Sequence, residues 1–157
     1  MASGLGSSCA FEVNGTCYTA PFTPKPMTKA ECEAQKSTLG INDCYYDNDY
    51  WAGAVKQCGG VSKMPTMAQL AELASQLYVG NPTIGAKQDK DNIQFDSNSS
   101  TAKSLGLTPY FWIWSGEEIS SDIAYDRNFQ TTRSDWGYLT YRDGSNYGSG
   151  QAVCLVE

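Results

Sequence analysis

The chain has 157 residues, of which 41% are hydrophobic and 18% are charged. Its 11 basic and 17 acidic side chains give a formal net charge of -6, and it carries 6 cysteines and no histidine. The length fits one domain with a short appendage, and it suffices to bury a core without help from the cysteines. An acidic chain with no basic cluster cannot neutralise phosphates, so it is a poor partner for nucleic acid. The missing histidine removes every Ser-His or Cys-His catalytic device and every histidine metal site.

The cysteines fall at Cys9, Cys17, Cys32, Cys44, Cys58 and Cys154. None lies in the close pairs that a zinc site needs. An even, scattered set reads as disulfides, which implies an oxidising compartment: outside the cell, or on a cell or particle surface. Spacing alone leaves fifteen pairings of six cysteines open. Met1–Ser8 has neither a basic start nor an apolar stretch, so it is no signal peptide. A leader or anchor removed from in front of it, with Met-Ala-Ser added, reconciles that start with the disulfides. No run of about 18 apolar residues occurs, so no membrane segment is expected.

In chain order, residues 1–45 read as a cysteine-braced N-terminal extension. Asn14-Gly15 favours positive φ and predicts a hairpin turn. Pro21, Pro24 and Pro26 then forbid regular structure. Thr28 with Glu31 forms a capping box for a short helix over Lys29–Lys36. Residues 46–157 read as the main domain. A helix is expected over 47–58, capped by Asp47 or Asp49, with Trp51, Ala54, Val55 and Cys58 on one face and Gly59-Gly60 at its end. A second helix is expected over 66–78. Thr66 caps it, Gln69 completes the box, and Met67, Leu70, Leu73, Ala74 and Leu77 recur at helical spacing. Residues 79–106 read as a long polar loop with a small helix near Ala102. Phe111–Ser115 reads as a buried strand. Residues 120–150 read as short strands and turns, and Ala152–Val156 as a terminal strand. Two helices followed by several short antiparallel strands argue an α+β fold.

One set of words resembles a known family. Tyr50-Trp51-Ala52 leads a helix ending at Cys58, then Lys63-Met64-Pro65-Thr66 opens a helix carrying Leu70 and Leu73. Phe111-Trp112-Ile113-Trp114-Ser115-Gly116-Glu117, Ala124, Phe129 and Val153-Cys154-Leu155-Val156 follow in order. Over roughly residues 46–157 this resembles the C-terminal domain family of the Legionella collagen-like adhesin, and through it the C-type lectin-like fold. Met64, Gln69 and Gly116 depart from the family's usual Leu, Glu and Ser. The resemblance implies a disulfide from the first helix to the last strand, Cys58–Cys154. That leaves Cys9–Cys17 and Cys32–Cys44 as local pairs.

Residues 125–149 are dense in Tyr, Asp, Ser, Asn and Arg around Trp136. That composition suits a binding face. Aromatic rings give area at low rotamer cost, and small polar side chains adapt their hydrogen bonds. The resemblance adds a narrower expectation, since lectin-like domains are targets of diversity-generating retroelements. Those elements convert Asn codons to Tyr, Asp and Ser. The expected contact residues are Tyr125, Asp126, Asn128, Asp135, Trp136, Tyr138, Tyr141, Asp143, Asn146 and Tyr147. All but Trp136 are candidate diversified positions.

Metal and catalysis find little support. The lectin calcium words Glu-Pro-Asn, Gln-Pro-Asp and Trp-Asn-Asp are absent, and neither Asp47-Asn48-Asp49 nor Asp89-x-Asp91-Asn92 makes an EF-hand loop. No metal or cofactor is therefore expected. Glu117 and Glu118 are adjacent, so on a strand they point to opposite faces and cannot share one glycosidic bond. The expected function is non-catalytic recognition of a protein or glycan ligand, as in adhesion. The competing readings are a pilin-type head subunit, and a hydrolase using Glu117 with Asp122 or Asp126.

Overall fold

In the computed structural model, residues 9–157 are described; the polar start Met1–Ser8 lies outside them. Asn14 and Gly15 take positive φ, 49° and 85°. Their turn pairs β1 (Phe11–Val13) with β2 (Thr16–Tyr18). Thr28 then caps α1 (Lys29–Leu39) through a complete capping box with Glu31. This helix runs past the expected Lys36, and Gly40 in the left-handed region closes it.

Asp49, the later of the two candidate caps, accepts from the Ala52 amide and starts α2 (Tyr50–Cys58). Gly59 at φ 96° ends that helix as expected. A single 3-10 turn, Val61–Lys63, leads to α3 (Met67–Leu77), again with a full box, Thr66 with Gln69. Beyond the short β3 (Lys90–Asp91), a small helix α4 (Ser100–Leu105) surrounds Ala102. The described residues thus hold four α-helices: the two expected in the main domain, the one in the extension and the small one near Ala102.

The C-terminal third differs more. The expected short strands of 120–150 are two long ones, β5 (Ile123–Phe129) and β6 (Arg133–Tyr141). They continue a meander from β4 (Phe111–Glu118). An irregular segment then returns to β7 (Leu155–Val156), shorter than the expected terminal strand. Two antiparallel sheets result, ordered β1-β2-β7 and β3-β6-β5-β4.

The larger sheet is packed on both faces. Ile113 and Trp114, neighbours on β4, enter different core clusters, as a period-2 strand requires. On one side Ile113 and Phe129 meet Met67, Leu70, Leu73 and Leu77 of α3. On the other, Trp114 meets Trp51, Val55 and the Cys58–Cys154 bridge. The three disulfides are Cys9–Cys17, Cys32–Cys44 and Cys58–Cys154. Among the described residues no helix is long and apolar enough to cross a membrane.

Candidate functional site

The strand register lays out the sheet face opposite α3 in two rows. Trp112, Asn128 and Asp135 are partners across β4, β5 and β6. One pleat further come Trp114, Asp126 and Gly137. The returning segment covers Trp114 in this second row and packs on Trp112 in the first. Trp114 Nε1 donates to the Ser149 carbonyl at 2.8 Å. Gly150 sits so close over Trp112 that a Cβ there would lie 2.5 Å from the indole. Beyond that contact, Trp112, Asn128 and Asp135 line the floor of a groove.

Two tyrosines stand at the groove. Tyr110, just before β4, is 77% exposed, and Tyr147 on the returning segment is 70% exposed. Tyr110 holds a φ of 74°, a strained conformation for a bulky residue. Its amide donates to the Phe129 carbonyl at 2.7 Å, which fixes the turn into β4. A cavity of about 450 Å³ lies among Tyr110, Trp112, Asn128, Gln130, Asp135 and Tyr147. Two neighbouring cavities, about 280 and 320 Å³, also border Tyr147 and extend the groove both ways. These volumes are of the size that holds small ligands or side chains of a partner.

Around the edge of β6 the aromatic surface continues. Tyr125, Trp136 and Tyr138 form a run of rings, with centroids 5.8 and 4.6 Å apart. Lys87 lies 4.1 Å over the Tyr125 ring and reaches Glu117 at 3.4 Å. Below them Arg127 is fully buried and donates to the carbonyls of Gly85, Ala86 and Gln88, pinning the loop that carries Lys87. Burial pulls this guanidinium below its ordinary value.

The expected contact residues therefore separate. Asn128, Asp135, Trp136, Tyr138 and Tyr147 border the groove cavities. Tyr125 belongs to the adjoining ring run. Tyr141 and Asp143 lie where β6 gives way to the turn, and Asp143 Oδ1 accepts from the Ser145 amide. Asn146 is engaged within the fold, since its side-chain amide donates to the Leu139 carbonyl and accepts from the Tyr141 amide. Asp126 does not belong to the contact surface. It is 1% exposed, and its carboxyl fills the space beside Gly137, 2.5 Å from where a Cβ would stand. Burial pushes it up to about 7, against the opposing pull of the Thr140 hydrogen bond and the Arg127 charge. One of its oxygens, Oδ2, has no hydrogen-bond partner.

Tyr110, Trp112, Gln130 and Asp89 were absent from the sequence-derived set. Reading Phe111–Ser115 as wholly buried hid the alternation that turns Trp112 toward the groove. Nothing local in the sequence announces the positive φ of Tyr110.

The carboxylates of the hydrolase reading are otherwise engaged. Glu117 accepts from the Met67 amide at 2.7 Å, at the start of α3. Asp122 accepts from the Ser120 hydroxyl, and Asp126 is buried. Glu118 joins a buried network around Arg142, described below. Among the described residues no group of three or more Cys, Asp or Glu side chains is placed to hold a metal ion.

Compared with protein-family models, with curated proteins and with solved structures, the chain matches none.

Proposed function

We propose that the chain is a non-catalytic recognition domain of C-type lectin-like type, displayed outside the cell or on a cell or particle surface. One observation carries this reading: four exposed apolar side chains line the cavities of one groove. Tyr110, Tyr138, Leu139 and Tyr147 are each at least half exposed there. Isolated exposed rings need no explanation, but a cluster rimmed by polar residues is the usual mark of a binding surface. Tyrosine suits such a surface because its large ring carries few rotors. The three disulfides fit a protein that works in an oxidising environment.

The scaffold beneath supports the same reading. Arg142 is 0% exposed, and every one of its N–H groups is used. Nε and Nη2 reach Asp49 Oδ2 at 2.9 and 2.8 Å. Nη1 donates to Glu118 Oε2 and the Ser120 carbonyl, and Nη2 also to the Asp43 carbonyl. The guanidinium stacks 4.5 Å over Trp51. This ties α2, the end of β4 and the segment after β6 together.

Diversification belongs to the same proposal. Asn128, Asp135, Tyr138, Tyr141, Asp143 and Tyr147 lie outside the core clusters, whereas Tyr125 packs against one, Asp126 is buried and Asn146 is hydrogen-bonded within the fold. Sequences of several alleles test this: variation confined to the exposed set supports it, and uniform variation overturns it. The recognition reading is tested by probing immobilised protein with an array of surface proteins and glycans. Saturable binding that the Tyr110→Ala/Tyr147→Ala pair abolishes is expected. Turnover of a glycan or peptide that Glu117→Gln removes would overturn it in favour of a hydrolase.

A further inference from the structure

We infer that the groove between Tyr110 and Tyr147 receives a cationic segment of a protein partner, with an arginine or lysine side chain laid over its rings. The inference rests on the recognition reading and names the chemistry of what is recognised.

Three observations point to a cation. The first is the local charge. No lysine borders any of the three groove cavities, and the one basic residue there is Arg133. Its guanidinium is already engaged by Asp135, with Nε to Oδ1 at 3.0 Å and Nη2 to Oδ2 at 2.7 Å. Asp91 approaches the same group at 3.6 Å, and Asp89 borders the cavity. Among the residues that border the cavities, one positive charge thus faces two carboxylates, on a chain whose net charge is already -6. The second is the lining. Tyr110, Trp112 and Tyr147 bring three aromatic rings to it, and aromatic rings attract cations through their quadrupole. The amide oxygens of Asn128 and Gln130 stand among them as acceptors and suit the donor-only heads of Lys and Arg. The third is Gly137, which borders the cavity: the space its side chain would fill holds the buried Asp126 carboxyl, whose Oδ2 is unpartnered.

Charge also argues against the alternatives. A phosphorylated or sulfated ligand would be repelled by this surface. A neutral sugar would gain nothing from the acidic excess. A guanidinium gains most, because its planar face stacks on a ring while its edge donates to carboxylates and amides.

The test uses the full oxidised chain with capped, fluorescent hexa-arginine, hexa-lysine and hexa-serine peptides, and with maltohexaose as a neutral glycan. Anisotropy should show saturable binding of hexa-arginine, weaker binding of hexa-lysine and none of hexa-serine. Affinity should fall about tenfold between low and high salt. Tyr147→Ala alone, and the pair Asp89→Asn/Asp135→Asn, should each weaken hexa-arginine about tenfold. The remote pair Glu12→Gln/Glu33→Gln makes the same charge change and should leave affinity within about twofold. Circular dichroism and intact mass confirm that each variant keeps its fold and its disulfides. Equal weakening by the remote pair would reduce the effect to overall acidity and overturn the inference. Failure of hexa-arginine to saturate would also overturn it. Saturable maltohexaose binding lost in Tyr147→Ala would overturn the cationic class while leaving the groove a recognition site.

Discussion

Arg142 and Asp126 are both charged residues sealed from water, and their partners separate them. Arg142 is matched donor for acceptor by two carboxylates and two carbonyls. Burial raises the Asp49 carboxyl above its ordinary value, and Arg142 opposes that rise. Arg142→Met would leave Asp49 and Glu118 facing each other without their cation. The expected loss is about 3–5 kcal/mol in chemical denaturation. Asp126 has no such match. Its folded value of about 7 lies well above the unfolded 3.8. Below the unfolded value both states hold the proton and pH has no effect. Between 3.8 and about 7 only the folded state holds it, so stability falls as pH rises through that window. Above it the loss is complete, at roughly 4 kcal/mol. Asp126→Asn should flatten this slope in denaturation curves taken across the range and should leave the variant more stable than the parent at alkaline pH. An unchanged slope would mean that Asp126 stays ionised in the fold.

Among the elements, β6 poses the clearest problem. Its neighbour β3 covers only Arg133 and Ser134, so most of its outer edge lacks a partner strand. Open edges invite pairing with another chain. Here side chains stand in for a strand. Asp89 accepts from the Trp136 amide, and Asn146 takes both the Leu139 carbonyl and the Tyr141 amide. Asn146→Ala should uncover an edge flanked by the exposed Tyr138, Leu139 and Tyr141. Concentration-dependent self-association in analytical ultracentrifugation is the expected result, with the parent chain monodisperse under the same conditions. This edge explains part of what the sequence could and could not tell. The boxes Thr28 with Glu31 and Thr66 with Gln69 were legible because a cap and its partner lie within one turn. The lengths of β5 and β6 were not, because Asp126, Arg127 and Gly137 break the expected alternation. Their reasons lie in distant elements: Arg127 in the loop at 85–88, and Asp126 in a register break where β6 carries an extra residue. Asn146 looked like a contact residue for the same reason, since its partners lie across a turn. The groove was half legible: the composition of 125–149 marked one wall, while Tyr110 and Trp112 come from outside that stretch.

At the scale of the molecule, the last described residues are tied back to earlier elements three times. β2 pairs with β7, Phe22 bridges to Ala152, and Cys58 is bonded to Cys154. The extension is also wedged against α2. Met27 and Asp49 exchange backbone hydrogen bonds, and Gly53 packs so tightly on the Lys25 carbonyl that no Cβ fits between them. Residues 9–45 therefore close over the same core that the later helices and strands build, and Cys32, Leu39 and Ile41 belong to the cluster of Trp51 and Trp114. This closure predicts an order among the disulfides. The bond Cys58–Cys154 spans a sequence separation of 96, while Cys9–Cys17 spans 8. In the chain-entropy account, removing the first costs about 4–5 kcal/mol and the second about 2–3 kcal/mol. Burial widens the gap, because Cys58 and Cys154 are fully enclosed between α2 and the end of the chain, whereas Cys9 is exposed. Alanine in place of both cysteines of each pair, followed by denaturant titration of the two variants, measures the difference. The Cys58→Ala/Cys154→Ala variant should also lose hexa-arginine binding at temperatures where Cys9→Ala/Cys17→Ala keeps it. The long bridge holds the returning segment that presents Tyr147, and the short one braces only the distant hairpin of β1 and β2. Equal losses of stability and binding in the two variants would show that the groove does not depend on how the last residues are tied back.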